Sequence, residues 1–217
     1  MKCILSSHEN AENRDTVIQL IQEYGFECIS VGNKAELSKT NPLDSDVCLF
    51  ISDRTKFLIS EEYVGNARFL MINTHPSLLP FHKGSLPVFW STLLGSVLGI
   101  TLHKIEPGLD SGDIILQQQI HYDEGMTFME VHSIARLTII DNLKSLLSKV
   151  SQGDPVHSYP QSPSISSHHL LKDGNALLSK LPLKWHTTIR DARIILADSL
   201  ALYHQYSRLT NCSISNA

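Results

Sequence analysis

The sequence predicts an α/β protein built on a doubly wound, mostly parallel sheet, with a short C-terminal extension. Three observations predict it. Short apolar runs recur through the first half of the chain. They are nearly continuous rather than alternating, as strands buried on both faces must be. Amphipathic, helix-like stretches separate them, the order that produces a parallel sheet covered on two sides.

The elements follow in chain order. Residues 2–6 are the first apolar run. Val17, Ile18, Leu20, Ile21 and Tyr24 share one side of a helix over about 12–24, and Gly25 is a natural stop for it. Phe26 to Val31, Asp46 to Ile51 and Arg68 to Asn73 read as the next three strands. Pro87-Val88-Phe89-Trp90-Ser91 starts a helix, with both aromatics expected in the core. Gly99 to Ile105 and Asp113 to Tyr122 are two further strands joined by a Gly-rich turn. Thr127 with Glu130 three residues on forms a capping-box pattern for a long helix to Val150, whose apolar face reads Val131, Ile134, Leu137, Thr138, Leu143, Leu146 and Leu147. Pro155 to His169, rich in Pro, Ser and His, reads as a linker or surface arm. A helix is expected over Thr187 to Tyr206, with Leu196, Leu200, Leu202 and Tyr203 packing on the core or on a second subunit, and disorder over Thr210 to Ala217. The expected division is one domain over 1–150 and a C-terminal arm and helix over 151–217.

Composition narrows the function. With 42% hydrophobic residues the 217-residue chain can bury a full core, and with 18% charged residues it is not a disordered protein. The formal net charge of −4 argues against a basic nucleic-acid surface. Cys3, Cys28 and Cys48 sit in strand-like contexts, as small buried hydrophobes do, and Cys212 lies in the tail; no Cys-x-x-Cys pair occurs. The start turns polar too early for a signal peptide, and no apolar run spans a bilayer, so a cytoplasmic setting with no membrane partner is expected.

Two polar segments carry the chemistry. In Ile72-Asn73-Thr74-His75-Pro76, at the end of an apolar strand, Asn73 and His75 are two apart and point the same way in extended chain. A carboxamide and an imidazole facing one volume can hold an oxygen on which negative charge develops, and the imidazole can pass a proton. The second segment, Glu106-Pro107-Gly108-Leu109-Asp110-Ser111-Gly112-Asp113, also follows an apolar strand, and either Asp110 or Asp113 can orient the imidazole. His168-His169 matches no structural zinc spacing, and no metal is expected.

The strings Asn73-Thr74-His75-Pro76-Ser77-Leu78-Leu79-Pro80, Lys83-Gly84 and Leu109-Asp110-Ser111-Gly112-Asp113-Ile114-Ile115 resemble the folate-dependent formyltransferases, over roughly residues 46–150. The resemblance implies a Rossmann-like core and an Asn73–His75–Asp110 catalytic set, with Asp110 preferred to Asp113. It implies 10-formyltetrahydrofolate as donor, its pterin against Phe57, Leu58 and Ile59 and its polar edge read by the backbone of Ile105, Glu106, Gly108 and Leu109. It also implies a cis peptide before Pro80. The acceptor would meet His82, Lys83 and Gly84.

The acceptor is narrowed by departures from the family. The loop Ser6 to Asn13 has no glycine and two acids, which suits it poorly to the phosphate of glycinamide ribonucleotide. The tail is short and the chain acidic, unlike a tRNA-binding enzyme. The segment 87–91 looks most like small bacterial amino-sugar N-formyltransferases, so the expected acceptor is an amino sugar, nucleotide-linked and destined for a surface glycan. The alternatives are a glycinamide ribonucleotide formyltransferase, a 10-formyltetrahydrofolate hydrolase and an inactive folate-binding module; a homodimer is one candidate assembly.

Overall fold

The computed structural model describes residues 1–162 and 166–203. Its main sheet has six strands: β1 (Lys2–Ser6), β2 (Glu27–Val31), β3 (Val47–Ser52), β4 (Leu70–His75), β6 (Leu98–Lys104) and β7 (Ile114–Ile120), with a two-residue β5 (Lys83–Gly84) outside it. The spatial order is β2-β1-β3-β4-β6-β7. The first four are parallel, whereas β6 runs antiparallel to β4 and β7 antiparallel to β6. The expected fold class is therefore the observed one.

Alternation along each strand sorts the core into two layers. Cys3 and Leu5, Leu49 and Ile51, Ile72, and Leu98, Ile100 and Leu102 face α1 (Arg14–Glu23), α4 (Pro87–Leu93) and α5 (Phe128–Gln152). Ile4, Phe50 and Met71 face the other way, toward Leu37 of α2 (Lys34–Leu37) and Tyr63 of α3 (Glu61–Asn66). Several helices begin where the sequence supplies a cap. Asn33 and Ser60 accept from the third residue onward, and Thr127 and Glu130 form the full capping box at α5. Phe89 and Trp90 are fully buried.

The long helix differs from expectation on one side. Leu137 is 60% exposed, and the buried stripe runs through Phe128, Val131, Ala135, Ile139, Leu143, Leu146 and Leu147. A stripe near 3.6 residues per turn excludes Leu137, which sits opposite Ala135 and Ile139.

Beyond α5 the chain returns to the domain. Residues 155–162 cross the sheet edge, where Tyr159 bridges Ile114. β8 (His168–His169) then pairs in parallel with β5. α6 (Leu171–Leu178), a 3-10 turn (Lys184–His186) and α7 (Ile189–Ile195) follow, and residues 197–203 are again helical after a break at Leu196. Leu196 is buried and Leu200 and Tyr203 pack on the core, while Leu202 is exposed. The end of the expected helix beyond Tyr203 and the expected disorder over 210–217 lie outside the described residues. Cys3 is buried and Cys28 and Cys48 half-buried, all free thiols. No helix among the described residues is long and apolar enough to cross a membrane.

Candidate active site

β4 delivers Asn73 and His75 to the same side of the sheet as Met71, the side of α2 and α3, while Thr74 points to the α5 side. Opposite them on β6, Asn73 pairs with His103 and His75 with Thr101. Directly paired residues share a face, so two imidazoles and a carboxamide converge. Asn73 Nδ2 lies 3.0 Å from His103 Nε2 and 3.4 Å from Asp110 Oδ1. His103 Nδ1 donates to the Lys104 carbonyl at 2.7 Å, which leaves Nε2 as the acceptor from Asn73.

Asp110 comes back to this point from a loop. Because β6 is antiparallel, its carboxyl end lies beside Ile72 and Met71, so residues 106–110 fold back along the sheet to reach Asn73. The turn uses left-handed backbone at Gly108 (φ 106°) and at Asp110 itself (φ 44°). Asp110 Oδ2 accepts from the Gly84 N–H at 2.8 Å and stands 3.7 Å from His75 Nδ1; Oδ1 stands 3.7 Å from His103 Nε2. Asp113, the competing acid, is turned to Lys104 (3.5 Å) and Ser158 (3.0 Å) instead. His75 is 4% exposed, and its Nε2–H donates to the His82 carbonyl at 3.0 Å. Nδ1 is thus the nitrogen turned to the acid.

The other expected site residues divide. Phe57, Ile59 and Ile105 pack on the apolar cluster that carries Met71, on the same face as Asn73 and His75. Leu58 is 78% exposed, and Glu106, Gly108 and Leu109 are exposed beside Asp110. The Ile105 N–H is taken by the Met71 carbonyl. Burial lowers the Lys83 ammonium below its ordinary value, opposed by Asp110. The His82 ring is buried, with Nδ1 2.9 Å from His169 Nε2 and Nε2 2.9 Å from Ser96 Oγ, so it does not open toward a ligand. The Leu79–Pro80 peptide is cis.

Sequence reasoning did not name His103, which becomes visible only once the β4–β6 register is known. It also passed over Asp53 and Arg136. These form a buried bidentate pair (2.7 and 2.8 Å) on the α5 side of β4, and Asp53 accepts from Thr74 Oγ1 at 2.6 Å. The residue between Asn73 and His75 is therefore braced from behind. Among the described residues, no group of three His, Cys, Asp or Glu side chains is placed to hold a metal.

Burial keeps four imidazoles neutral. It lowers His82 and His132 to about 4 and His169 to about 3, and it lowers His103 despite Asp110. The ordinary value is 6.5. Between about pH 6.5 and pH 4 the unfolded chain therefore binds more protons than the folded one. Stability is full above that window and falls as pH drops through it. The urea midpoint at pH 5 is expected to lie clearly below that at pH 7, with an unchanged m-value; a flat midpoint would contradict this.

Residues 4–136 match the family described as formyl transferase. Methionyl-tRNA formyltransferase from Ruminiclostridium cellulolyticum is 34% identical over 112 residues, 51% of this chain and 36% of the relative. GDP-perosamine N-formyltransferase from Brucella melitensis is 33% identical over 113 residues, 51% of this chain and 43% of the relative. The chain spans from about a third to about half of the length of the first such relatives. Among solved structures, the formyltransferase PseJ from Anoxybacillus kamchatkensis, in complex with UDP-4,6-dideoxy-4-formamido-L-AltNAc and tetrahydrofolate, aligns with a TM-score of 0.77 and 29% identity, over 88% of this chain and 97% of that one. A sugar N-formyltransferase from Shewanella shares the fold, with a TM-score of 0.65 at 22% identity over 90% of this chain and 87% of that one. With a family match across residues 4–136, more than half its length, this chain belongs to the formyl transferase family.

Proposed function

We propose that the protein transfers a formyl group from 10-formyltetrahydrofolate to the amino group of a nucleotide-linked amino sugar. One observation carries the acceptor reading. The likeness to PseJ covers 88% of this chain, so it extends beyond residue 150 into the C-terminal arm, and that protein holds a UDP-linked formamido sugar and tetrahydrofolate. The donor reading rests on the family and on the face that Phe57, Ile59 and Ile105 share with Asn73 and His75. An apolar wall beside an exposed loop at 106–109 fits a flat, polar-edged pterin.

The donor supplies an already activated amide, so the protein's work is placement and charge stabilisation. Asn73 and His75 stand where negative charge develops on the formyl oxygen. The Nε2–H of His75 is held by the His82 carbonyl, so His75 acts through Nδ1, the nitrogen facing Asp110. Asp110, anchored by the Gly84 N–H, takes up the proton of the attacking amine and passes it to that nitrogen, from which it goes to the folate nitrogen as the bond to the formyl carbon breaks. His103 accepts from Asn73 and keeps the carboxamide turned toward the site.

The test is tetrahydrofolate release from 10-formyltetrahydrofolate with a panel of acceptors: a UDP-linked 4-amino-4,6-dideoxy sugar, GDP-perosamine, glycinamide ribonucleotide, methionyl-tRNA and none. Turnover with a nucleotide sugar is expected. Turnover confined to glycinamide ribonucleotide or methionyl-tRNA would end the sugar reading, and equal release with no acceptor would replace transfer by hydrolysis.

A further inference from the structure

We propose that His169, on the C-terminal arm, is a positioning residue for His75 and Asp110, acting through the three residues His82-Lys83-Gly84. The inference rests on the catalytic reading of His75 given above.

The 82–84 segment is the only backbone among the described contacts that touches both groups. Its His82 carbonyl takes the His75 Nε2–H, and its Gly84 N–H reaches Asp110 Oδ2. Its own conformation is an unfavourable one for side-chain-bearing residues, with φ 56° at His82 and 86° at Gly84. Left-handed backbone at a non-glycine residue persists only where the surroundings impose it. The arm supplies those surroundings. The Lys83 N–H donates to the Ser167 carbonyl (2.9 Å), the Ser85 N–H to the His169 carbonyl (3.1 Å) and the His82 N–H to Ser167 Oγ (2.9 Å). A Cβ on Gly84 would stand 2.7 Å from the His169 carbonyl oxygen, so the two chains meet at backbone contact.

The side chains complete the clasp. The His82 and His169 rings are nearly coplanar (13°), with centroids 5.1 Å apart and nitrogens 2.9 Å apart. They are joined edge to edge by an N–H···N bond rather than stacked face to face. Such a bond needs one donor and one acceptor, so the pair holds while both rings are neutral, and burial lowers both. His82 also bonds to Ser96 Oγ, and His169 to the Tyr203 hydroxyl (2.8 Å). Trp90 lies flat on His169, 4.2 Å between centroids at 10°, and fixes the plane of its ring. His169 is only 5% exposed and lies one residue layer behind the site, so it shapes the site without meeting a ligand.

The test uses the full chain and three variants: His169→Ala, His169→Gln, which keeps a donor near the His82 nitrogen, and His75→Ala. The first readout needs no acceptor: the ¹⁵N resonances of the His75 ring. In the parent protein they are expected to report a single Nε2–H tautomer. In His169→Ala they are expected to shift to a tautomer mixture, with folinic acid affinity retained, and in His169→Gln to return toward the parent. The second is formyl transfer to a UDP-linked 4-amino-4,6-dideoxy sugar, which is expected to fall roughly 10- to 100-fold in kcat for His169→Ala, the scale of a sub-ångström to 1 Å misplacement. An unchanged His75 spectrum in His169→Ala, or loss of folinic acid binding in step with kcat, overturns the positioning role. Full activity in His75→Ala instead overturns the catalytic reading beneath it.

Discussion

His75→Ala is expected to bind folinic acid as the parent does and to transfer formyl groups roughly 100- to 10,000-fold more slowly, the range for losing a positioned proton-transfer group. That is about 3–6 kcal/mol of transition-state stabilisation at about 1.4 kcal/mol per tenfold. Asp110→Asn is the sharper partner. An amide oxygen can still accept from the Gly84 N–H, so the loop keeps its anchor, while the charge facing His75 Nδ1 is gone. A loss of similar size is expected from it. Because Asp110 acts on His75, the double variant should be little worse than either single one. Stopped-assay measurement of tetrahydrofolate against time would check all three. Parent-like rates in both single variants would remove the mechanism, and losses that multiply would show that the two groups act separately.

The largest effect on stability is expected at Asp53–Arg136. Both side chains are buried, 0% and 2% exposed, and their bidentate contact is the main compensation for two charges taken out of water. Arg136→Leu leaves the Asp53 carboxylate with Thr74 Oγ1 and no cation. Breaking such a pair costs about 3–5 kcal/mol, and for a chain of this length about 2–4 °C is lost per kcal/mol. A fall of roughly 6–20 °C in melting temperature follows from those two ranges. Asp53→Leu combined with Arg136→Leu should recover much of it, since an apolar pair carries no stranded charge. Calorimetry on the three variants decides the matter. A single variant that melts within about 2 °C of the parent, less than 1 kcal/mol, would mean that water already solvates the pair.

The sheet and most helices were legible because each announces itself locally. Leu49, Phe50 and Ile51 form an uninterrupted apolar run, and Thr127 with Glu130 marks a helix start within four residues. Leu137 was misjudged because an apolar residue on a helix does not state which side the sheet lies on. For the candidate site, Asn73 and His75 were readable as a pair from strand alternation, and the choice of Asp110 over Asp113 came from resemblance. The geometry that distinguishes the two acids is a fold-back loop that no periodicity encodes. His103 was invisible for another reason: its nearness to Asn73 is a matter of register between strands that begin 28 residues apart (Leu70 to Leu98). Arg136 read as one more polar residue on a long helix, since its partner lies 83 residues away. His168-His169 drew notice as a possible metal pair, and the structure puts His169 to a different use, with Nε2 on His82 and Nδ1 on Tyr203.

The pairing of β5 with β8 also sets an order of events during synthesis. His82 and His169 are separated by 87 positions. At about 5–20 residues per second, the ribosome needs on the order of ten seconds to deliver the second after the first. For that interval the nascent polypeptide carries residues 82–84 without the strand that they pair with. A product clipped before residue 167 accordingly lacks the backbone partners that residues 82–85 meet in the finished fold.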